Sequence, residues 1–259
     1  MLVCGIDIGA RTVSAVILED GDVLSSFVLT SGGEAAAVSQ RVVAEALKQT
    51  RFGFHDLQYM VATGCGRSAV PFAHHRSTEV VCQARGAYYL FPSARTVINL
   101  GAESSRAIRM SENGRVESFS KNDKCAAGSG LFLEAMSTLL EVPVEVMGEL
   151  SLQATRHEEV SSICAVFAES EVISHIHRGV PKERILAGLH RAVAGRILEM
   201  LGTSGIKSDV IATGGVARNA AIIRELENRI RLGITVPQEP QIVGALGAAL
   251  LGLDRVSRT

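Results

Sequence analysis

The 259-residue chain lacks several features that mark particular classes of protein. It has no tryptophan and only 4% aromatic residues, which argues against stacking platforms for bases and against carbohydrate grooves. Its 26 basic and 27 acidic residues leave a net charge of −1, so we expect no general attraction to nucleic acid or to acidic membranes. With 47% hydrophobic and 20% charged residues, the disordered and fibrous classes are excluded as well.

The chain also lacks a long apolar run, a readable leader and a Walker-type phosphate loop. The longest nearly uncharged stretch, 242–253, is about half the length of a membrane span. The opening M-L-V-C-G-I-D-I-G-A has no basic segment followed by an apolar run, so no signal peptide is readable. We therefore expect a cytoplasmic protein with no membrane partner, and not a Walker ATPase.

The five cysteines contain no C-x-x-C pair, so one chain offers no self-contained four-thiolate site. Cys4 and Cys82 lie in apolar stretches and are predicted to be core residues, whereas Cys65 is in a glycine turn and stays open. Cys125 and Cys164 each stand at the N-terminus of a predicted helix, where N–H donors favour thiolates and iron–sulfur clusters. Two such thiols, doubled across a two-fold axis, would make four ligands. The alternative is two helix-start cysteines of no special use.

Short β-rich runs separated by turns fill the N-terminal part, and the pattern then changes to helical spacing. Strands are predicted at 3–8, 13–18, 23–29 and 57–62, and a helix at 34–48. The opening I-D-I-G-A recurs as I-N-L-G-A from Ile98, and each copy is followed by an acidic-glycine hairpin turn and a further strand. The sequence therefore predicts an α/β fold of duplicated β-β-β-α-β-α units, with a ligand in the cleft between them.

The predicted first lobe is 1–93 and the second lobe is 94–259, with the C-terminal helix able to pack back on the first. The second half is helix-rich. Helices are predicted at 125–140, 165–177, 181–201, 218–230 and 242–253, and a strand at 209–213.

Two glycine-containing strand ends offer binding chemistry. Asp7 ends a strand beside Gly9, so its carboxylate can hold hydrated Mg²⁺ while turn N–H groups face phosphate oxygens. Gly214-Gly215 joins a predicted strand to a helix and lets the backbone approach a flat or anionic ligand. Taken singly, the first is equally an ordinary hairpin and the second an ordinary turn.

The order of these elements resembles the sugar kinase, heat-shock-70 and actin superfamily. That resemblance implies a two-lobed actin-like ATPase fold in which the first two motifs bind phosphates and the third contacts adenosine. Gly64-Cys65-Gly66 imitates a dinucleotide fingerprint, but no ribose-binding acid follows at the expected distance, so a Rossmann site is not predicted.

Four longer motifs resemble the ATP-dependent activators of 2-hydroxyacyl-CoA dehydratases and, equally, the ATPase subunits of benzoyl-CoA reductase. They are N-D-K-C-A-A-G-S-G-x-F-L-E at 122–134, C-A-V-F-A-E-S-E-V at 164–172, T-G-G-V-A-R-N at 213–219 and P-Q-x-x-G-A-L-G-A-A-L at 240–250. The resemblance covers essentially the whole chain. It implies a dimer with one [4Fe–4S] cluster shared between two chains, in which hydrolysis of ATP to ADP with Mg²⁺ drives a low-potential electron to a partner.

Carried over residue by residue, the resemblance makes Cys125 and Cys164 cluster ligands and gives Asp7 and Glu103 the catalytic roles. The implied nucleotide-binding residues are Gly9, Ala10, Arg11, Thr12, Gly101, Ala102, Ser104, Gly214, Gly215, Val216, Asn219 and Gln241. The implied partners are a related ATPase subunit, catalytic reductase subunits and a ferredoxin-type electron donor.

The second phosphate motif departs from the family pattern D-I-G-G-Q-D-S-K. Asn99 and Ser104 stand where carboxylates are usual, and Glu103 stands in place of glutamine. Weaker Mg²⁺ positioning and slower hydrolysis are expected unless Glu103 compensates. This favours a specialised subunit in a heterodimer, most like the small D-type subunit of benzoyl-CoA reductase. The alternatives are a homodimeric dehydratase activator, a small-molecule kinase of the same fold, and a regulatory subunit without turnover.

Overall fold

A computed structural model describes residues 1–122, 130–160 and 165–257. By packing, the chain forms two units. Unit 1 comprises 1–97, 110–117 and 237–259, and unit 2 comprises 98–109 and 118–236. The predicted lobes, 1–93 and 94–259, are consecutive stretches of chain, whereas these units are defined by packing and interleave.

The strands are β1 Leu2–Ile8, β2 Thr12–Glu19, β3 Asp22–Thr30, β4 Tyr59–Gly64, β5 His75–Arg76, β6 Thr96–Leu100, β7 Ser105–Met110, β8 Val116–Asn122, β9 Val210–Thr213 and β10 Ile234–Thr235. The helices are α1 Ala35–Leu47, α2 Glu79–Leu90, α3 Gly130–Leu140, α4 Val144–Leu152, α5 Ala165–His177, α6 Lys182–Ser204, α7 Ala220–Ile230 and α8 Val243–Val256. Short 3-10 helices lie at Phe54–Asp56, Arg67–Ala69 and Gly215–Arg218.

Unit 1 is built on a five-stranded sheet of order β3-β2-β1-β4-β5. β1 is antiparallel to β2 and parallel to β4. Alternate residues of β1 enter two different cores, because successive side chains of a strand point to opposite faces. Leu2, Cys4, Ile6 and Ile8 pack with α1, and Val3 packs with α8 on the other face.

Glycines allow α8 to lie close to its neighbours in unit 1. A Cβ on Gly5 of β1 would overlap the Ala245 carbonyl oxygen, and one on Gly247 would overlap the Cys82 carbonyl oxygen of α2. The small residues of 242–253 predict such close packing, and these contacts confirm it.

Unit 2 contains a second five-stranded sheet of order β10-β9-β6-β7-β8. Read from its other end, this order matches that of the first sheet, with β6 in the place of β1 and β9 in the place of β4. The duplication predicted from two hairpins therefore extends to both sheets.

The helical core of unit 2 follows the predicted spacing along α6. Ile185, Leu189, Val193, Ile197 and Leu201 recur every four residues, and each is at most 1% exposed. The first part of the helix predicted at 125–140 lies outside the described residues up to 129, and α3 covers the rest.

One helix of unit 2, α4, was not predicted. Its sequence V-E-V-M-G-E-L-S-L begins with β-branched residues and carries Gly148 in the middle, so its local pattern is weak. Gly148 is buried, and a Cβ there would lie 2.9 Å from Asn219 Oδ1, too close for any residue but glycine. Among the described residues, no helix is long and apolar enough to cross a membrane.

Candidate functional site

The turn between β1 and β2 carries the first predicted phosphate-binding segment. The Gly9 amide donates to the Thr12 carbonyl at 3.0 Å. A Cβ on Gly9 would lie 2.8 Å from that carbonyl oxygen, so the tight turn requires glycine. Ala10 and Arg11 are exposed at the tip, as a ligand-binding turn requires.

The turn between β6 and β7 in unit 2 has nearly the same geometry. The Gly101 amide donates to the Ser104 carbonyl at 3.1 Å, and a Cβ on Gly101 would lie 2.7 Å from that oxygen. Glu103 is exposed at its tip, whereas Ala102 and Ser104 are half-buried.

The same turn holds the beginning of α3. The Gly130 amide donates to the Gly101 carbonyl and the Leu131 amide to the Ala102 carbonyl, both at 3.0 Å. A Cβ on Gly130 would lie 3.1 Å from a methyl of Val216. The second predicted phosphate segment, the start of α3 and part of the predicted adenosine segment are therefore in direct contact within unit 2.

Asp7 lies near the end of β1 with its carboxylate between two glycines of unit 1. Asp7 is half-buried and lies opposite Ser14 of β2. A Cβ on Gly64, at the end of β4, or on Gly244, in α8, would overlap its carboxylate oxygens. A half-buried carboxylate at a strand end is chemically suited to the hydrated Mg²⁺ that the sequence resemblance implies, and this role stays a prediction.

Asn99 has the corresponding place in β6 but a different environment. It is 6% exposed, its Nδ2 donates to Thr213 Oγ1 at 3.2 Å, and its Oδ1 accepts from Arg106 Nη1 at 3.4 Å. Both ends of the amide are therefore engaged by neighbouring strands of the sheet.

Gly214 directly follows β9 with a φ of +87°, and a Cβ there would overlap the Leu100 carbonyl oxygen. Gly64, the last residue of β4, has a φ of +91°, and a Cβ there would overlap the corresponding Ile8 carbonyl oxygen. Sequence reasoning missed this second correspondence. The repeated tripeptide A-T-G, at 62–64 and 212–214, is the signal that would have found it.

Asn219, predicted at adenosine, caps α7. Its Oδ1 accepts from the amides of Ala221 and Ile222 at 3.1 and 3.2 Å, so α7 begins at Ala220 and not at the predicted Arg218. Since Oδ1 is the acceptor, Nδ2 donates to Nε2 of His190 on α6, 3.0 Å away.

His190 was not singled out by its sequence. It is 0% exposed, and burial lowers its pKa to about 4. Its Nε2 is the acceptor, so the neutral ring carries its proton on Nδ1, which has no partner among the described residues.

The remaining predicted nucleotide residues lie in different surroundings. Gly215 is exposed, Val216 is buried against Gly130, and the Gln241 carbonyl accepts from Ser14 Oγ at 3.4 Å in unit 1. Their roles in binding stay predictions.

The predicted cluster ligands, Cys125 and Cys164, lie outside the described residues. The helices that follow them, α3 from Gly130 and α5 from Ala165, contact each other in unit 2. Within the described ranges, no group of three or more histidine, cysteine or acidic residues is placed to hold a metal.

The other three cysteines are accounted for in unit 1. Cys4 and Cys82 are fully buried, as predicted. Burial raises the pKa of both thiols, that of Cys82 to about 11. Cys65 is exposed, and its Sγ lies 3.3 Å from the Ile8 carbonyl oxygen.

Comparison with known proteins identifies the family to which the chain belongs. The sequence profile of the BadF/BadG/BcrA/BcrD ATPase family matches residues 4–252. The chain belongs to this family. Members of this ATPase family bind ATP, which agrees with the two glycine turns, and the fold is that of the actin-like ATPases.

Two relatives show how the chain stands within the family. The activator of lactoyl-CoA dehydratase from Anaerotignum propionicum is 40% identical over 258 residues, covering 100% of both chains. The D-type subunit of benzoyl-CoA reductase from Thauera aromatica is 35% identical over 265 residues, covering 98% of this chain and 94% of its own.

A solved structure agrees over the whole chain. The activator of the 2-hydroxyisocaproyl-CoA dehydratase from Clostridium difficile with bound ADPNP has a TM-score of 0.95 and 38% identity, covering 100% of this chain and 96% of its own. The predicted family and fold are thus confirmed, whereas the preference for benzoyl-CoA reductase over the dehydratase activators is not.

Proposed function

We propose that the chain is an ATP-driven electron-transfer protein. In this proposal Cys125 and Cys164, with the same pair of a second chain, hold one [4Fe–4S] cluster. The cluster supplies a low-potential electron, and a separate catalytic protein receives it. Relatives described as dehydratase activators and as a reductase subunit support this kind of role.

The observation that carries the proposal is the attachment of α3 to the Gly101 turn. Two backbone hydrogen bonds of 3.0 Å join Gly101 and Ala102 to the first residues of α3, and Cys125 precedes that helix by five residues in sequence. A change at the turn when the γ-phosphate is lost would therefore shift the start of α3. Such a shift reaches the Cys125 segment through few covalent bonds, which is how a nucleotide state can alter the surroundings of a cluster.

The exposed apolar start of α5 supports a second chain. Val166 and Phe167, which follow Cys164 closely, are 67% and 62% exposed. Leu131, at the start of α3, is 38% exposed. Neighbouring large apolar side chains left in water are typical of a surface that a partner covers. A cluster shared between two chains requires such a contact at both cysteine segments.

The proposal assigns nucleotide roles to residues within each unit. Asp7 would hold Mg²⁺ in unit 1, and the turns at Gly9 and Gly101 would offer backbone N–H groups to phosphate oxygens. Glu103 is the exposed carboxylate of the second turn and is assigned to positioning the attacking water.

Within the family we favour activation of a 2-hydroxyacyl-CoA dehydratase, because relatives with that description align with essentially the whole chain at 38–40% identity. The neutral Asn99, tied to Thr213 and Arg106, favours a second candidate. That candidate is a benzoyl-CoA reductase type of subunit, paired with a more complete ATPase chain and supplied by a ferredoxin-type donor. Co-purification separates the two, since a homodimer supports the first and a second related ATPase chain supports the second.

The cluster is tested by anaerobic purification with iron and acid-labile sulfide analysis. The wild type should be coloured and hold about four irons per dimer. Cys125→Ser and Cys164→Ser should each lose most of the iron, whereas Cys65→Ser, which changes an exposed thiol outside the proposed site, should keep it. A colourless, iron-free wild type that phosphorylates a small molecule would replace the proposal with the kinase alternative.

A further inference from the structure

Unit 2 contains a cavity that none of the predicted nucleotide residues lines. It has a volume of about 260 Å³ and lies where the segment after α4 meets α6 and α7. One face of each helix contributes, since Ala187 and Arg191 are four residues apart on α6, and Ala221 and Arg224 are three apart on α7. The two alanines keep the space between the helices open.

Three arginines line this cavity: Arg156 after α4, Arg191 on α6 and Arg224 on α7. In the described part of the chain, none of the three guanidinium groups forms a hydrogen bond or an ion pair. All three residues are exposed, so water screens their mutual repulsion, and an anion would be bound through charge-assisted hydrogen bonds from the guanidinium groups.

The acidic residue among those that line the cavity does not neutralise the three arginines. Glu225 also lines the cavity, but its Oε2 lies 3.5 Å from Arg229 Nε, one turn along α7. His157 lines the cavity as well, and its Nε2 lies 3.4 Å from Glu159 Oε1. The cavity therefore keeps an uncompensated positive charge.

We propose that this cavity binds a small phosphate polyanion at a site separate from the ATP turns. Guanidinium groups match phosphate oxygens in paired hydrogen bonds, and three of them from different segments can surround a ligand with more than one phosphate. A volume of about 260 Å³ is below the range of roughly 300–1,000 Å³ that is usual for pockets holding drug-sized ligands. The size fits pyrophosphate or a terminal diphosphate group and not a whole dinucleotide.

Two residues that line the cavity lie shortly before the predicted cluster ligand Cys164 in the sequence. Arg156 and His157 lie on the segment that leads to Cys164. An anion held by Arg156 together with Arg191 and Arg224 would fix that segment to α6 and α7.

The test is calorimetric titration of the full-length protein with inorganic pyrophosphate in the presence of saturating ADP, which occupies the nucleotide turns. One pyrophosphate should bind per chain. Replacing two arginines together, Arg191→Gln and Arg224→Gln, should raise the dissociation constant at least tenfold. Lys182→Gln removes one charge from α6 outside the cavity and should change the constant less than twofold.

Three results of the titrations would overturn the proposal of a separate pyrophosphate site. Binding that disappears when ADP is saturating assigns pyrophosphate to the nucleotide turns and overturns the proposal. An equal loss in the Lys182→Gln variant reduces it to general charge attraction. Tighter binding of an acidic peptide than of pyrophosphate would make the cavity a protein-docking surface instead. Single Arg191→Gln and Arg224→Gln variants, each with a normal unfolding midpoint, keep the test valid if the double variant folds poorly.

Discussion

After β1 the chain turns at Gly9 with a 3.0 Å hydrogen bond to Thr12, and after β6 it turns at Gly101 with a 3.1 Å bond to Ser104. The side chains two residues before these glycines differ, since Asp7 is a half-buried carboxylate and Asn99 is a buried amide bonded to Thr213 and Arg106. The two turns therefore share a backbone geometry set by sterics, whereas the side chains beside them differ in charge and burial.

The largest expected effect is a loss of stability at Gly64, which ends β4, and at Gly214, which follows β9. Gly64→Ala and Gly214→Ala should each lower the free energy of unfolding by about 3 kcal/mol or more, because positive φ and overlap with a carbonyl oxygen add together. Gly233→Ala, with no atom within 4 Å of its Cβ, is the control. Urea midpoints measure this. Unequal losses at 64 and 214 would show that the two units are less alike than their backbones indicate.

The next largest effect is expected on the rate of ATP hydrolysis when the Asp7 carboxylate of unit 1 is removed. Asp7→Asn should slow ATP hydrolysis about 100-fold, or about 2.7 kcal/mol, because the side chain proposed to hold Mg²⁺ becomes neutral. Asp22→Asn, in an exposed position after the β2–β3 turn, should leave the rate unchanged. Steady-state phosphate release measures both, and a wild-type rate in Asp7→Asn would exclude this residue from metal binding.

The buried His190 of unit 2 should make the free energy of unfolding depend on pH. Burial holds its pKa at about 4, below an unfolded value of about 6.5, so only the unfolded chain takes up the proton between these values. Stability from this group is complete above about pH 6.5 and falls as pH decreases, by about 2 kcal/mol at pH 5.

The measurement is the urea midpoint between pH 5 and pH 7. His190→Gln keeps an acceptor for Asn219 and should lose this part of the slope, whereas the exposed His55→Gln should retain it. Identical slopes for His190→Gln and the wild type would contradict a buried neutral histidine.

The smallest effect expected sharpens the Asp7–Asn99 contrast. Asn99→Asp restores the carboxylate usual in the family, with Arg106 beside it and the Thr213 hydroxyl able to donate to it. ATP hydrolysis should increase about tenfold, or about 1.4 kcal/mol, and half-saturation should require less Mg²⁺. Titrating Mg²⁺ against the hydrolysis rate measures both quantities. An unchanged rate would show that Asn99 does not limit ATP hydrolysis.

Sequence patterns predicted the elements whose signal is local. The four-residue spacing along α6 and the alternation in β1 are set by contacts that recur within one element. The short α4 has no such signal, and its Gly148 packs closely against Asn219, which is far along the chain. The bond between His190 and Asn219 joins residues 29 positions apart, and no periodicity reports it.

The candidate site was predicted in the same unequal way. The glycines of both turns were identified because a tight turn requires glycine wherever it occurs. The A-T-G repeat at 62–64 was not predicted to correspond to 212–214. The correspondence depends on the strand orders of the two sheets, in which β4 and β9 have equivalent positions.

The sequence by itself determined the family, the duplicated hairpins and the two cysteine motifs, because these depend on residue types at short, fixed spacings. Only the tertiary structure decided that α3 starts on the Gly101 turn, that Asn99 is held by Thr213 and Arg106, and that three arginines line one cavity. The physical reason is the range of the interactions. Backbone sterics act over a few residues, whereas packing and charge act between segments that the folded chain brings together.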